Sequence, residues 1–480
     1  MTQHTSPDQQ RDGLARTLGV PQIVFMVVAM AAPLTVVAGL VPLMIASGNG
    51  VGAPLDFVVM GFVLVLFTVG FSAMTPEVAD AGAFYSYVQK GLGRVAGLGA
   101  ATLAIATYAV LLVSVAAYLG AAVHNALVTL AGASVPWWSL SAGCLLLIGF
   151  LGYRNIEMSA RVLGALLIAE VCIVAAVDLA ITVRGGDHGL SGEPFTWGAF
   201  SQGAVGTGIM FAIFGFVGFE ATAVFRAEAR DPDKTVPRAT YTAVLVIAVV
   251  YAVSAWAVVV GAGTDKVVDL AVAHPEDLTP DLATRYVSVV AHDVMQVLLA
   301  TSFFACVLTV HNVVSRYLFT LGRKGVLPPS LGAAHPRHHS PHVASLVTSG
   351  VVWLALAVMT VLRLDPVVQI YAWFGGAGTL GLTFLLALTS VAIVVHFRRN
   401  PGVVSRWQGA IAPGLASASL LVTLFLVVRN FPLLIGSTGL AYAFIAFLIL
   451  AYVGGLAWAL RLRARRTATY AALLSERTSA

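Results

Sequence analysis

The sequence predicts an all-α integral membrane protein with about twelve transmembrane helices. Of its 480 residues, 59% are hydrophobic and only 10% are charged, whereas soluble proteins carry about 25% charged residues. Apolar runs of about 20 residues, the length that crosses a bilayer core, recur along the chain. Length alone would suggest several soluble domains, but this composition favours one polytopic domain.

Twelve apolar runs define the predicted spans. They centre near Ala32, Leu64, Ala109, Leu146, Val171, Ile209, Val249, Phe304, Val352, Leu382, Leu420 and Phe447. The polar residues 1–19 do not have the form of a cleavable signal. We therefore expect an N-terminal tail over 1–19, a core of ten spans over 20–400, two further spans within 401–462, and a basic tail over 463–480.

Basic residues predict the orientation of these spans. If the N-terminus is inside, the cytoplasmic segments hold 22 of the 27 Lys and Arg residues. This bias predicts a multi-pass protein of the cytoplasmic membrane with both termini in the cytoplasm. The bilayer is then the expected partner of the basic tail. The sequence has no nucleic-acid motif, and Cys144, Cys172 and Cys306 are too dispersed for a metal cluster or a disulfide framework. We expect neither a metal nor a cofactor.

The first and sixth spans carry helix-breaking residues near their middles. Pro33 interrupts the first span, because proline lacks an N–H group and clashes with the preceding helical turn. The sixth has no charge from Pro194 to Phe219, yet it contains Gly203, Gly206, Gly208, Gly215 and Gly218, and a glycine costs about 1 kcal/mol in a helix interior. A proline kink and a glycine-lined packing face are the simpler alternatives. Paired breaks in equivalent positions nevertheless favour two inverted repeats of five spans, over about 20–185 and 194–400.

Four segments resemble the amino acid–polyamine–organocation (APC) permease superfamily, which has the LeuT-like five-plus-five fold. They are AGAFYSYV (81–88) with GLGR (91–94), the segment from Arg154 to Arg161, FVGFE (216–220) with DPDKTVPRA (231–239), and NVVSRYLFTLGR (312–323) with GVLP (325–328). They occur in the order of the family's spans. The glycine triplet of the family's first span is replaced here by AAPLTVVAG (31–39). The resemblance implies a secondary transporter that works by alternating access.

The two breaks predict the substrate site. A broken helix exposes N–H groups at one half and C=O groups at the other, which suit a carboxylate and an ammonium group. We expect the amides near Thr35, Val36 and Val37 to hold the carboxylate, and the carbonyls near Ala31, Phe214 and Gly215 to accept the ammonium. The Thr35 hydroxyl either adds a bond or bonds back to its own helix. The full predicted set is Ala31, Ala32, Thr35, Val36, Val37, Phe214, Gly215, Phe216, Gly218 and Phe219, in which the phenylalanines either line the pocket or pack ordinarily.

Two carboxylates and two aromatic residues are candidates for coupling and gating. Glu170 lies at mid-depth in the fifth span, where an ionisable group is costly and often functional. The resemblance places it where some proton-coupled relatives carry a lysine. It either exchanges a proton or bonds to a neighbouring helix. Glu220 complements the positive end of the inner half of the sixth span, which favours a structural or gating role. Tyr371 and Trp373 are candidates for an outer gate or for ordinary packing.

These observations predict an amino acid permease, with proton-coupled transport of a neutral amino acid as the leading hypothesis. A carrier of polyamines, other amines or cationic amino acids that uses Glu170 is the main alternative. A membrane-embedded enzyme is disfavoured, because the spans contain no nucleophile–base pair. A nutrient sensor is disfavoured by the short termini.

Overall fold

The computed structural model describes residues 18–78, 84–154, 160–338 and 340–472. Both ends of the chain and the motif residues 79–83 and 155–159 lie outside this described part. Within it, helices account for all the regular structure except one isolated bridge between Leu18 and Ala229.

Eleven helices of the described residues are long and apolar enough to cross a membrane. In chain order they are Val20–Ser47, Gly50–Glu77, Arg94–Ala131, Gly164–Arg184, Val205–Ala223, Pro232–Ala262, Val289–Arg323, His342–Val361, Pro366–Arg399, Trp407–Ile435 and Thr438–Arg465. The 18-residue helix Trp137–Arg154, which is not one of these eleven, covers the predicted run around Leu146. Eleven of the twelve predicted centres therefore lie on helices, and the remaining one, Ala32, lies at the break within Val20–Ser47. We number these helices spans one to twelve, with Trp137–Arg154 as span four.

Span one is broken where Pro33 predicts it. An α-helix over Val20–Met30 ends at Ala31 and Ala32, and Ala32 has a left-handed φ of 48°. Only a minority of non-glycine residues adopt this conformation, which costs free energy and persists where the surroundings impose it. The chain then continues as a π-helix over Thr35–Leu40 and an α-helix over Val41–Ser47.

Span six is broken at its glycines. An α-helix over Val205–Gly215 is followed by a turn at 216–218, where Gly218 has a φ of 107°. Glycine is the residue that takes this conformation without a steric penalty. The second half, Phe219–Glu228, is a 3₁₀-helix, which is narrower and longer per residue than an α-helix.

Equivalent members of the two five-span sets pack against one another. Span two packs along span seven, span three along span eight, and span four along span nine. The two halves of span one pack on the two halves of span six. These pairings are those expected of two structural repeats that face each other. Spans eleven and twelve pack on the outside of this core, against spans ten and three respectively.

Short helices connect the spans at both ends of the core. Phe84–Leu92 lies between spans two and three, and Val267–Ala273 and Leu278–Tyr286 lie between spans seven and eight. In the loop after span five, Asp187 accepts hydrogen bonds from Lys266 and Arg285. These two hydrogen bonds lower the pKa of Asp187 to about 2. The ion pairs therefore join the loop after span five to the segment between spans seven and eight.

Candidate substrate site

The two helix breaks lie side by side. A Cβ atom placed on Gly218 would lie 3.3 Å from Cβ of Met30, and one placed on Gly215 would lie 3.3 Å from Cγ1 of Val36. The same position on Gly215 is 3.1 Å from the Phe57 ring. The glycines of span six therefore allow its backbone to approach span one closely. The predicted residues of the two breaks are thus brought together.

Several of the backbone groups that we expected to hold a substrate already have partners. The Tyr251 hydroxyl of span seven donates to the carbonyl of Ala31 at 3.0 Å. The Val36 N–H donates to the carbonyl of Ala32 at 3.2 Å, and the Val217 N–H donates to the carbonyl of Phe214 at 3.1 Å. A carbonyl oxygen has two lone pairs, so each of these carbonyls can accept a second hydrogen bond.

A chain of polar side chains crosses three spans beside the break in span one. The Thr35 hydroxyl donates to Oγ of Ser302 at 2.9 Å, and Ser302 donates to Oε2 of Glu170 at 2.9 Å. The backbone of Leu34 also lies beside Glu170. Thr35 thus bonds to span eight, and not to its own helix. The carboxylate is buried and lies within reach of the free N–H end of the second half of span one.

Four aromatic rings form a layer next to this polar chain, which we call the aromatic layer. It consists of Phe214, Tyr371, Tyr118 and Phe303, from spans six, ten, three and eight. Tyr371 lies 5.6 Å from Phe214 and 4.8 Å from Tyr118 between ring centroids, and Tyr118 stacks on Phe303 at 4.3 Å. The predictions included Phe214 and Tyr371 but missed Tyr118 and Phe303. Trp373 is half-buried at the edge of the core.

Glu220 closes the break in span six on the other side. Its Oε2 accepts the Gly218 N–H at 3.0 Å, and its Oε1 accepts the hydroxyl of Tyr108, from span three, at 2.9 Å. The carboxylate therefore caps a free N–H group at the start of the 3₁₀-helix, as the dipole argument predicts. Beside it, the rings of Tyr108, Tyr317 and Tyr85 form a second aromatic group, with centroid separations of 5.9 and 5.8 Å.

Phe216 and Phe219 face the packed core. The Phe216 ring lies 6.5 Å from that of Phe57, and the Phe219 ring lies 5.9 Å from that of Phe67 in an edge-to-face arrangement. Both partners belong to span two, and both rings are almost fully buried. This geometry favours ordinary packing for these two residues, whereas Phe214 remains a candidate for the pocket.

Two groups of possible metal ligands lie in the loops and escaped the sequence analysis. One is Asp187, His188 and Asp265, and the other is His274, Glu276 and Asp277. Lys266 and Arg285 already bind Asp187 of the first group. The second group is exposed or half-buried.

Two broken spans that meet at a polar centre of a helical membrane protein are the organisation of a secondary transporter. Comparison with known families agrees with this class. The family model described as amino acid permease matches residues 22–467, and the chain belongs to this family.

Curated relatives of the chain are permeases for different small molecules. The chain is 22% identical to a low-affinity putrescine importer of Escherichia coli over 366 residues. This alignment covers 74% of this chain and 78% of the relative. It is 26% identical to a branched-chain amino acid permease of Bacillus subtilis, over 59% of this chain and 57% of the relative. It is 24% identical to the gamma-aminobutyric acid permease of Escherichia coli, over 63% of this chain and 65% of the relative. The chain is therefore a transporter and not an enzyme.

Proposed function

We propose that this permease moves an amino acid across the cytoplasmic membrane by alternating access, with the substrate bound between the breaks of spans one and six. The observation that carries the proposal is the close approach of the two breaks, at Gly215 to Val36 and at Gly218 to Met30. The orientation with both termini in the cytoplasm rests on the distribution of basic residues.

The chemistry around the breaks favours a substrate without a charged side chain. The two carboxylates that flank the breaks, Glu170 and Glu220, both already accept hydrogen bonds from neighbouring spans. Backbone N–H and C=O groups then supply the complement for a zwitterionic head group, and Phe214 and Tyr371 supply an apolar wall. Val36 and Val37 are buried beside them.

A carrier of amines is the second candidate, and Glu170 is the observation that favours it. Its carboxylate lies next to the break in span one, where it is placed to pair with a second ammonium group. In this alternative the substrate would replace Ser302 as the partner of the carboxylate. The putrescine importer among the relatives is named for such a diamine.

We further propose that a proton drives accumulation, and that Glu170 carries it. In a closed site the neutral carboxyl is favoured by desolvation, and in an open site water favours the charged form. The Ser302 and Thr35 hydroxyls are both donors and acceptors, so they are able to reorient when Glu170 changes its protonation state.

The test is uptake into proteoliposomes with a competition panel. Labelled amino acid is chased with each common amino acid and with putrescine, and the vesicle contents are analysed chemically. The proposal expects competition by neutral amino acids, an unmodified substrate inside, and faster exchange when unlabelled substrate is present on the far side. Competition by diamines alone would select the second candidate, and the absence of any exchange would overturn the carrier mechanism.

A further inference from the structure

Asn49 and Asp56 form a buried polar pair away from the helix breaks. Asn49 follows the second half of span one, and Asp56 lies in the first turn of the α-helix Ala53–Met74 of span two. Their side chains are enclosed, with Asn49 2% exposed and Asp56 0% exposed. A carboxyl group at such a position requires partners, because an isolated charge out of water is strongly unfavourable.

Only some of the polar side-chain atoms of this pair have hydrogen-bond partners. Nδ2 of Asn49 donates to Oδ1 of Asp56 and to the carbonyl of Phe200, both at 3.2 Å. Oδ1 of Asn49 and Oδ2 of Asp56 are buried without a hydrogen-bond partner in the described part of the chain. The two oxygens converge, because a Cβ atom on Gly208 would lie 2.5 Å from each. They are therefore within about 5 Å of each other.

Two acceptors that face each other without a donor are unfavourable in a buried site. Each unsatisfied buried group destabilises the fold, and it does so more strongly if it is charged. On the elements packed nearby, the charged side chains at this end of the molecule include Glu193, Lys266, Asp269 and Arg429, and all four are exposed. No buried cation of the described residues therefore neutralises Asp56. A single proton on Oδ2 changes that oxygen into a donor and satisfies both atoms.

We propose that Asp56 is a bound-proton site: it is held as a neutral carboxylic acid that donates through Oδ2 to Oδ1 of Asn49. Together with the observed bond from Nδ2 to Oδ1 of Asp56, this gives a reciprocal acid–amide pair. The absence of a side chain at Gly208 lets both oxygens lie against span six.

The pair lies where three segments of the permease contact one another. Asn49 continues span one, Asp56 belongs to span two, and Gly208 belongs to the first half of span six. The neighbouring Gly48 carbonyl accepts the Ala204 N–H at 2.9 Å, which adds a backbone bond between the same segments. A Cβ atom on Gly48 would lie 2.9 Å from Cα of Gly208, so there is no space for a larger group. The neutral pair thus joins the end of span one to the first turn of span two and, through the Phe200 carbonyl, to the segment before span six.

The decisive comparison is between Asp56→Asn and Asp56→Leu in the full-length protein in lipid nanodiscs. Asn reproduces the neutral acid, because its amide accepts from Nδ2 of Asn49 and donates to Oδ1. We expect Asp56→Asn to keep the thermal unfolding midpoint and at least about half of the uptake rate. Leu leaves both polar groups of Asn49 without this partner, so Asp56→Leu should lower the midpoint by about 2 °C or more.

Infrared spectroscopy of the wild type provides a measurement that does not depend on the variants' activity. The difference spectrum between wild type and Asp56→Asn should contain the carbonyl band of a protonated carboxyl group. A carboxylate band in its place would overturn the proposal. An equal fall in the thermal unfolding midpoint for Asp56→Asn and Asp56→Leu would overturn it as well. The same midpoints are measured in sodium and in choline chloride. A rise that requires sodium and is lost in Asp56→Asn would also overturn the proposal and assign a cation site to these oxygens.

Discussion

At the scale of single residues, Glu170 is distinguished by the origin of its partners. Its carboxylate accepts a hydrogen bond from Ser302 of span eight and lies beside the backbone of Leu34 in span one. Both partners belong to other helices, so the carboxylate joins three spans at the level of the break. A change in its charge therefore alters contacts between spans, which is the property that a coupling residue requires.

Replacing Glu170 by Gln tests this role. Gln keeps the size of the side chain and a hydrogen-bonding oxygen for Ser302, but it cannot ionise. We expect Glu170→Gln to lose accumulation driven by an inward proton gradient while it keeps exchange of labelled for unlabelled substrate. Uptake into proteoliposomes with and without an imposed pH difference measures both.

Asp178→Asn is the matched control, because it neutralises a second, half-buried carboxylate on span five. Asp178 accepts a hydrogen bond from Ser254 of span seven at 2.6 Å and is two turns away from Glu170. The control should keep proton-driven accumulation. Full accumulation by Glu170→Gln would assign a structural role to Glu170, and accumulation driven by sodium in the wild type would overturn proton coupling.

At the scale of elements, the breaks in spans one and six depend on residues that cannot continue a helix. Gly215 ends the α-helical half of span six and approaches Phe57 and Val36 closely. A leucine there has no space, because even its Cβ atom would lie 3.1 Å from the Phe57 ring. We expect Gly215→Leu to insert into the membrane but to lose at least about tenfold in uptake, because overpacking displaces the two breaks.

Gly454→Leu is the matched control for this substitution. Gly454 lies in span twelve, and a Cβ atom placed on it would have no heavy atom within 4 Å. The control should transport like the wild type, and the amount of each variant in the membrane is measured by quantitative immunoblotting. If Gly215→Leu takes up substrate as fast as the control does, the breaks do not form the substrate site.

A second prediction at the scale of elements concerns the aromatic layer. Phe303 stacks on Tyr118 and lies one turn before Cys306, which is half-buried in the same span. If the layer separates Cys306 from the outside, Phe303→Ala should open a path to the thiol. In a background that lacks Cys144 and Cys172, we expect Phe303→Ala to speed labelling of Cys306 by an impermeant maleimide from outside.

Phe425→Ala, on the exposed face of span eleven, removes an equal ring at a distance from the layer and should leave the labelling rate unchanged. Equal labelling of the two variants would show that the layer does not control access.

The sequence predicts the helices and the breaks better than it predicts the side-chain clusters around them. Pro33 and Gly218 act locally, through a missing N–H group and a left-handed φ, so their effect can be read without the fold. The stacking of Tyr118 on Phe303 depends on how spans three and eight pack. No spacing in the sequence reveals it, because each residue lies in a predominantly apolar run whose faces cannot be told apart by periodicity. The same reason explains why Phe216 and Phe219 could not be distinguished from Phe214 before their directions were known.

At the scale of the whole molecule, contacts between distant segments hold the two five-span sets together. Spans two and seven, three and eight, and four and nine pack in pairs. In addition, the Thr279 hydroxyl of helix Leu278–Tyr286 donates to the carbonyl of Val37 in span one at 3.2 Å. The segment between spans seven and eight therefore contacts the candidate site directly. Its attachment to the rest of the protein includes the ion pairs of Asp187 with Lys266 and Arg285.

These ion pairs predict a defined dependence of stability on pH. Hydrogen bonds from Lys266 and Arg285 lower the pKa of Asp187 from its ordinary value of 3.8 to about 2. A carboxyl group whose pKa is lower in the folded protein stabilises the fold above its unfolded-state pKa, and this contribution is lost as the pH falls through the folded-state value. The contribution of Asp187 should therefore be complete at pH 6 and should disappear between about pH 4 and pH 2.

Asp187→Asn removes the charge at every pH, so the difference between variant and wild type isolates this contribution. We expect the variant to have the lower thermal unfolding midpoint at pH 6 and the same midpoint as the wild type near pH 2. Lys266 and Arg285 are largely exposed, so the difference at pH 6 should be small and should shrink as salt is added. Asp269→Asn, which neutralises an exposed carboxylate of the segment between spans seven and eight, should show no such dependence. A difference for Asp187→Asn that persists unchanged at pH 2 would mean that packing and backbone contacts, and not the ion pairs, hold this segment over the site.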